Sequence, residues 1–321
     1  MIATSFTTLV GIGAPVQLAA MPGITTPALV AAVADAGGLG MLGAAMLAPA
    51  ALDAALGELA ERTRGAVGVN FLMPFLDPAA LDVAARRARV VELFYAEPDA
   101  ALVRRARAHG AVVGWQVGSL REALAAERAG CDYVVAQGAE AGGHVRGETS
   151  LLPLLSQVLG ALRVPVVAAG GIATARSLAA VLACGCGAAR VGTRFVAAAE
   201  SGAHPAYVAA LLAASAADTC LTQAFSHGWP DAPHRVLRSA IAAAEACSES
   251  VVGELAIGGE GMPVERFSPV PPTIDTTGRV EAMALYAGES VGDVERVAPA
   301  AAIVAELVTG AERLLRAAAS R

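Results

Sequence analysis

The stretch A-Q-G-A-E-A-G-G-H-V-R-G, Ala136–Gly147, gathers reactive groups in a chain with only 16% charged residues. Gln137 offers both donors and an acceptor. Glu140 can orient a histidine or cap a helix. His144 is the one residue there that exchanges a proton near neutral pH without a large perturbation. Arg146 can attract an anion or stand solvated. The Gly142-Gly143 pair before the histidine allows backbone to approach a ligand closely. Together these residue types suit proton transfer, or the holding of an anion, beside a bound molecule. The plain alternative for His144 is a loop histidine bonded only to backbone. His109, His204 and His234 read as helix-end or loop residues, while His227 and Trp229 are candidates for lining a pocket.

Composition excludes several other chemistries. All 23 basic residues are Arg. With no Lys, Schiff-base enzymes and phosphate-loop lysines are ruled out. The five Cys are scattered without a C-x-x-C, so buried free thiols are expected and no metal site. A net charge of -6 gives no footprint for nucleic acid. No stretch reads as a signal peptide or a membrane span, and a cytoplasmic protein is expected. A homo-oligomer is left open.

The elements that must position the motif alternate regularly. The pattern predicts strands at Val16–Met21, Gly40–Ala44, Ala66–Leu72, Val90–Tyr95, Val112–Val117, Tyr133–Gln137, Val164–Ala168 and Ala189–Phe195. Helix signals lie between them. Thr26 and Pro27 open Ala28–Ala36, Ser119-x-x-Glu122 is a capping box ahead of Ala123–Ala129, and Thr174 caps Ala175–Ala183. Pro98 and Pro205 mark first helical turns. Eight strand–helix units with continuous apolar strands predict an α/β fold, a TIM (β/α)8 barrel. Periodicity cannot show closure, so a doubly wound open sheet is the alternative. After the eighth strand, helical runs at Val236–Glu245 and Ser248–Leu255 predict a small, mainly helical insertion. The expected division is a barrel of 1–214 and 284–321 with a helical cap of 215–283.

In such a barrel the loops at the strands' C-terminal ends build the site. V-P-V-V-A-A-G-G-I and A-R-V-G-T-R-F place Gly170, Gly171, Gly192 and Thr193 after strands seven and eight, where barrels commonly hold a phosphate. The alternative is that these glycines only make tight turns.

P-V-Q-L-A-A-M, G-V-N-F, A-Q-G-A-E-A-G-G-H, V-P-V-V-A-A-G-G-I and V-G-T-R-F together resemble the nitronate monooxygenase family, also called 2-nitropropane dioxygenases. The likeness runs from about Pro15 to Pro205 and returns at Leu285–Ser290. It implies a barrel with FMN that oxidises alkyl nitronates with dioxygen to carbonyl compounds and nitrite. By that resemblance, backbone around Met21 lies along the flavin, and Asn70 and Gln137 hydrogen-bond the ring or ribityl chain. Gly142 and Gly143 pass close to the cofactor, Gly171, Gly192 and Thr193 hold its phosphate, and His144 is catalytic. The chain departs from the family at Ala20–Gly23, at Glu289, and at A-F-S-H-G-W-P, Ala224–Pro230. Those departures bear on the substrate side, where His227, Trp229 and Tyr286 are expected. An FMN reductase passing hydride from NAD(P)H to a quinone or enoyl thioester is the second reading. A non-catalytic flavin binder is the third.

Overall fold

The computed structural model describes residues 2–257 and 260–320. The chain runs through β1 (Val16–Leu18), β2 (Gly40–Gly43), β3 (Val67–Leu72), β4 (Val90–Phe94), β5 (Val112–Val117), β6 (Tyr133–Gln137), the two-residue β7 (Gly143–His144), β8 (Val166–Ala169) and β9 (Ala188–Val191). All but β7 form one parallel sheet in the order β1-β9-β8-β6-β5-β4-β3-β2. Its edges meet: Leu39 N donates to Val16 O (2.9 Å) and Leu18 N to Leu39 O (2.9 Å). The sheet is therefore a barrel with helices packed outside it, which rules out the open doubly wound alternative.

Several barrel strands differ from their apolar runs by a residue or two at an end, and the first and last fall well short of them. β1 stops at Leu18 because the chain turns at Met21, whose carbonyl accepts from the Ile24 and Thr25 amides. The run Ala189–Phe195 is strand only to Val191. Gly192 O then accepts from Phe195 N (2.7 Å), closing a one-turn helix over Thr193–Val196. Helix starts follow the capping residues: Thr26 caps Pro27–Asp35, and Thr174 with Ser177 forms a capping box for Ala175–Ala183. Pro205 opens its helix, but Pro98 does not, because Asp99 is the cap of Ala100–Arg107. At Ser119 half of the expected box is present. Its side chain accepts from Glu122 N, whereas the Glu122 carboxylate accepts from Gly118 N (2.9 Å) and from Arg146.

The barrel interior is not wholly apolar. Glu92, fully buried, pairs with Arg190 and accepts from Tyr133 Oη (2.8 Å), Gln17 Nε2 (3.1 Å) and Asn70 Nδ2 (2.7 Å). Burial pushes the Glu92 carboxyl pKa up, but the Arg190 charge and the donated hydrogen bonds outweigh it and hold the pKa below its usual value.

The segment after the barrel strands corrects the helical expectation. Its described residues form β10 (Thr219–Thr222), β11 (His234–Leu237), β12 (Val251–Ile257), β13 (Glu260–Glu265) and β14 (Thr276–Gly278), with one α-helix, Arg238–Ala246. The run Ser248–Leu255 enters β12 instead of a helix. β10, β11 and β7 make one antiparallel sheet, and β13, β12 and β14 another. A second apolar core joins them, including Tyr207, Phe225, Val236, Val252, Val264 and Leu285.

Candidate active site

The loop after β6 is bent back by its own glutamine. Gln137 Nε2 donates to His144 O (2.9 Å), which leaves Gln137 Oε1 buried without a partner. The chain then forms β7, which pairs with β11 so that His144 stands opposite His234. Gly142 lies against the returning Ala287–Gly288 backbone, and a Cβ there would strike it. The bare glycine thus admits a crossing of two chain segments. Gly143, at φ +76°, faces open space. Glu140 is committed elsewhere: its carboxylate accepts from Leu151 N (2.9 and 3.0 Å) at the start of helix Leu151–Ala161. Arg146 is tied to Glu122 (2.6 Å) and Glu97 (3.2 Å).

Aromatic rings enclose His144. Trp229 stacks on it, with centroids 3.9 Å apart and 23° between planes. Tyr95 stands edge-on to both, at 5.9 Å from His144 and 4.8 Å from Trp229. Phe75 meets Trp229 at 5.0 Å, and Tyr286 and His234 lie 5.7 and 5.3 Å from His144. Burial first, and then the neighbouring His234, push the His144 pKa down to about 3, so the imidazole is neutral at neutral pH. Its Nε2 is buried with no partner. His234 has its roles set by its neighbours: Nε2 accepts from Phe225 N (3.1 Å), which leaves Nδ1 to donate to Ala232 O (2.8 Å).

The predicted pocket residues divide. Trp229 and Tyr286 reach His144. His227, two residues before Trp229, turns outward, is largely exposed and pairs with Glu265 (2.7 Å), so it does not line the cluster. Tyr95, His234 and Phe75 are neighbours that the sequence reading missed. A tyrosine ending the fourth strand was a readable signal for the first. Nothing local marked His234, because its strand pairs with a segment 90 residues earlier.

The glycine loops lie side by side, since β8 neighbours β9. Gly170 and Gly171 both take positive φ, +109° and +66°. A Cβ on Gly192 would come within 3.2 Å of Ala19 and 3.8 Å of Met21 Sδ, so Met21 borders this loop. Thr193 Oγ1 accepts from Gly288 N (3.0 Å). Asn70, having given Nδ2 to Glu92, keeps its carbonyl oxygen unbonded to the described residues. A bare glycine cradle with two spare amide oxygens, those of Asn70 and Gln137, fits a ligand that combines a phosphate with hydrogen-bond donors, as FMN does.

The sequence profile of the nitronate monooxygenase family matches residues 3–84 and 77–310. The chain belongs to the nitronate monooxygenase family. Among relatives, the (3aS,4S,5R,7aS)-5-hydroxy-7a-methyl-1-oxo-octahydro-1H-indene-4-carboxyl-CoA dehydrogenase of Rhodococcus jostii is 35% identical over 237 residues, 74% of this chain and 66% of the relative. The chain thus spans just under two thirds of that relative's length. FabK from Thermotoga maritima superposes with a TM-score of 0.82 at 28% identity, covering 100% of this chain and 99% of FabK. A nitroalkane oxidase from Streptomyces ansochromogenes superposes at 0.76 with 31% identity, covering 97% and 100%. Among the described residues no helix is long and apolar enough to cross a membrane.

Proposed function

We propose that this family member oxidises alkyl nitronates with dioxygen, giving a carbonyl compound and nitrite. The cap of residues 215–283 would close one side of a barrel made by 1–214 and 284–321, and a cytoplasmic setting goes with the same reading. The observation that carries the proposal is the buried, unpartnered Nε2 of a neutral His144 among aromatic rings, with Gln137 bonded to the His144 carbonyl and keeping its own oxygen spare. Gly170, Gly171, Gly192 and Thr193 would hold the FMN phosphate, and Asn70, Gln137 and backbone near Met21 the ring and ribityl chain. When bound, FMN supplies the electron acceptor.

The residues suit a substrate that arrives as an anion. A neutral imidazole has a free nitrogen that can take the carbon-bound proton of a nitroalkane, but its low proton affinity makes the ready-made anion the better substrate. A nitronate has already lost that proton. Its charge next to His144 draws the imidazole pKa back up, because an opposite charge nearby favours the cation. The aromatic walls exclude water and favour a short alkyl substituent.

A second reading, hydride transfer from NAD(P)H to an enoyl thioester, draws support from the likeness to FabK over the full chain. One experiment separates the two. The yellow protein is mixed anaerobically with propyl-2-nitronate, and separately with NADH and with NADPH. Bleaching by the nitronate, followed by nitrite release on admitting oxygen, is expected. Bleaching by a nicotinamide alone overturns the first reading in favour of the second.

A further inference from the structure

The chain has four tyrosines, and three spend their hydroxyls on protein acceptors. Tyr133 donates to Glu92, Tyr207 to Tyr286 O, and Tyr286 to Pro269 O (2.7 Å). The Tyr95 hydroxyl donates to no described residue, although its ring is packed on several sides. It meets Phe94 at 5.2 Å, Trp229 at 4.8 Å and His144 at 5.9 Å, and the Arg146 guanidinium lies 5.8 Å from its centroid. The ring direction is therefore set while the polar tip is left without a partner.

The backbone adds an independent sign. Tyr95 is the first residue after β4, at the barrel mouth, and it takes φ +75°. A bulky residue with positive φ is a conformational outlier, and glycine would adopt it freely. Strain of this kind persists where the surroundings over-determine it, and it concentrates at functional sites. Here it aims an aromatic side chain at the histidine.

From this geometry we infer that Tyr95 is a substrate-binding residue whose hydroxyl donates a hydrogen bond to an oxygen of the substrate's anionic nitro group while His144 holds the other side. The inference rests on the nitronate reading. The nearby Arg146 guanidinium is already engaged by Glu122 and Glu97. Burial pushes the phenol up to about 12, so it remains a donor throughout the working pH range. The substrate oxygen is an acceptor only, and matches a donor that the protein leaves unused.

The test compares holoenzyme with Tyr95→Phe, which keeps the ring and its packing. FMN content and the resting flavin spectrum are measured first and should be unchanged. Anaerobic bleaching is then followed against propyl-2-nitronate concentration, to separate Kd from the limiting rate. Loss of a hydrogen bond to a charged group should raise Kd by about 10- to 100-fold, with a smaller change in the limiting rate. An unchanged Kd, with wild type bleached normally, overturns the assignment of Tyr95 alone. Loss of FMN from the variant also overturns it, since the residue would then serve the cofactor. If the nitronate fails to bleach wild type, the functional reading falls and takes this inference with it.

Discussion

The two tryptophans occupy opposite kinds of environment. Trp115 lies on β5, wholly buried in the barrel wall, with Nε1 donating to Ala96 O (3.1 Å). Trp229 sits at the end of a turn in the added segment, with its amide bonded to Ser226 O (3.0 Å) and its indole stacked on His144. The barrel surrounds Trp115 with residues of neighbouring strands and helices in one continuous core. Trp229 lies in the loop between β10 and β11, which pair with each other, while β11 also pairs with the distant β7. The comparison separates two tasks. The barrel carries the glycine loops, Gln137 and His144. The added segment supplies walls, and can change its residues without touching the phosphate loops.

The sharpest way to break this comparison is at His144. Replacing it with Ala should leave FMN bound, because the phosphate loops are separate, and should lower turnover of a neutral nitroalkane by about 10²–10⁴-fold. Turnover of the preformed nitronate should fall less, as its proton is already gone. Steady-state oxygen uptake with both forms measures this, and equal losses would remove the base role.

Next in size is the tryptophan pair itself. Trp115→Ala should cost about 3–5 kcal/mol of stability, as for a filled core position. Trp229→Ala should cost less than half of that and show its main effect on KM and chain-length preference. Urea unfolding of both variants beside wild type checks the order. Equal costs would mean that the added segment is as much a load-carrying core as the barrel.

Gly171→Asp tests the cradle. At φ +66° any side chain is strained, and a carboxylate would oppose a phosphate. FMN affinity should fall by about 100-fold, read by fluorescence titration of the apoprotein. An unchanged Kd would move the phosphate elsewhere.

The smallest effect is electrostatic. The His144 pKa falls from an ordinary 6.5 to about 3 on folding, chiefly through burial. Between those values the unfolded chain binds a proton that the folded one does not, so stability drops as pH falls through that window. At pH 5 the loss relative to pH 8 should be about 2 kcal/mol. His234, also lowered by burial, acts in the same direction. A His144→Gln variant should show a shallower decline in the same unfolding measurement; an identical slope would place the titration elsewhere.

Legibility in the sequence follows the same division. Val112–Val117 and Tyr133–Gln137 are strands end to end as their apolar runs predict. The caps at Thr26 and Thr174 hold because a cap is a contact within three residues. Ser248–Leu255 misleads, since a short run mixing Val, Gly, Glu and Leu fits either period and its pairing with β13 and β14 decides. His227 and Trp229 share one turn, yet one faces out and the other in. No periodicity distinguishes them.

By itself the sequence determined the eight-unit α/β pattern, the glycine loops at the strand ends, the histidine motif and the family. These depend on local backbone preference and on residue types at set spacings. Tertiary structure alone decided that the barrel closes, that His144 pairs across to His234, that Glu140 caps a helix, and that Arg146 is neutralised. It also decided that Tyr95 packs its ring near His144 and leaves its hydroxyl without a partner among the described residues. The physical reason is that a side chain's protonation, partner and exposure are set by whatever packs against it. For His144 that packing comes from a strand 90 residues further on.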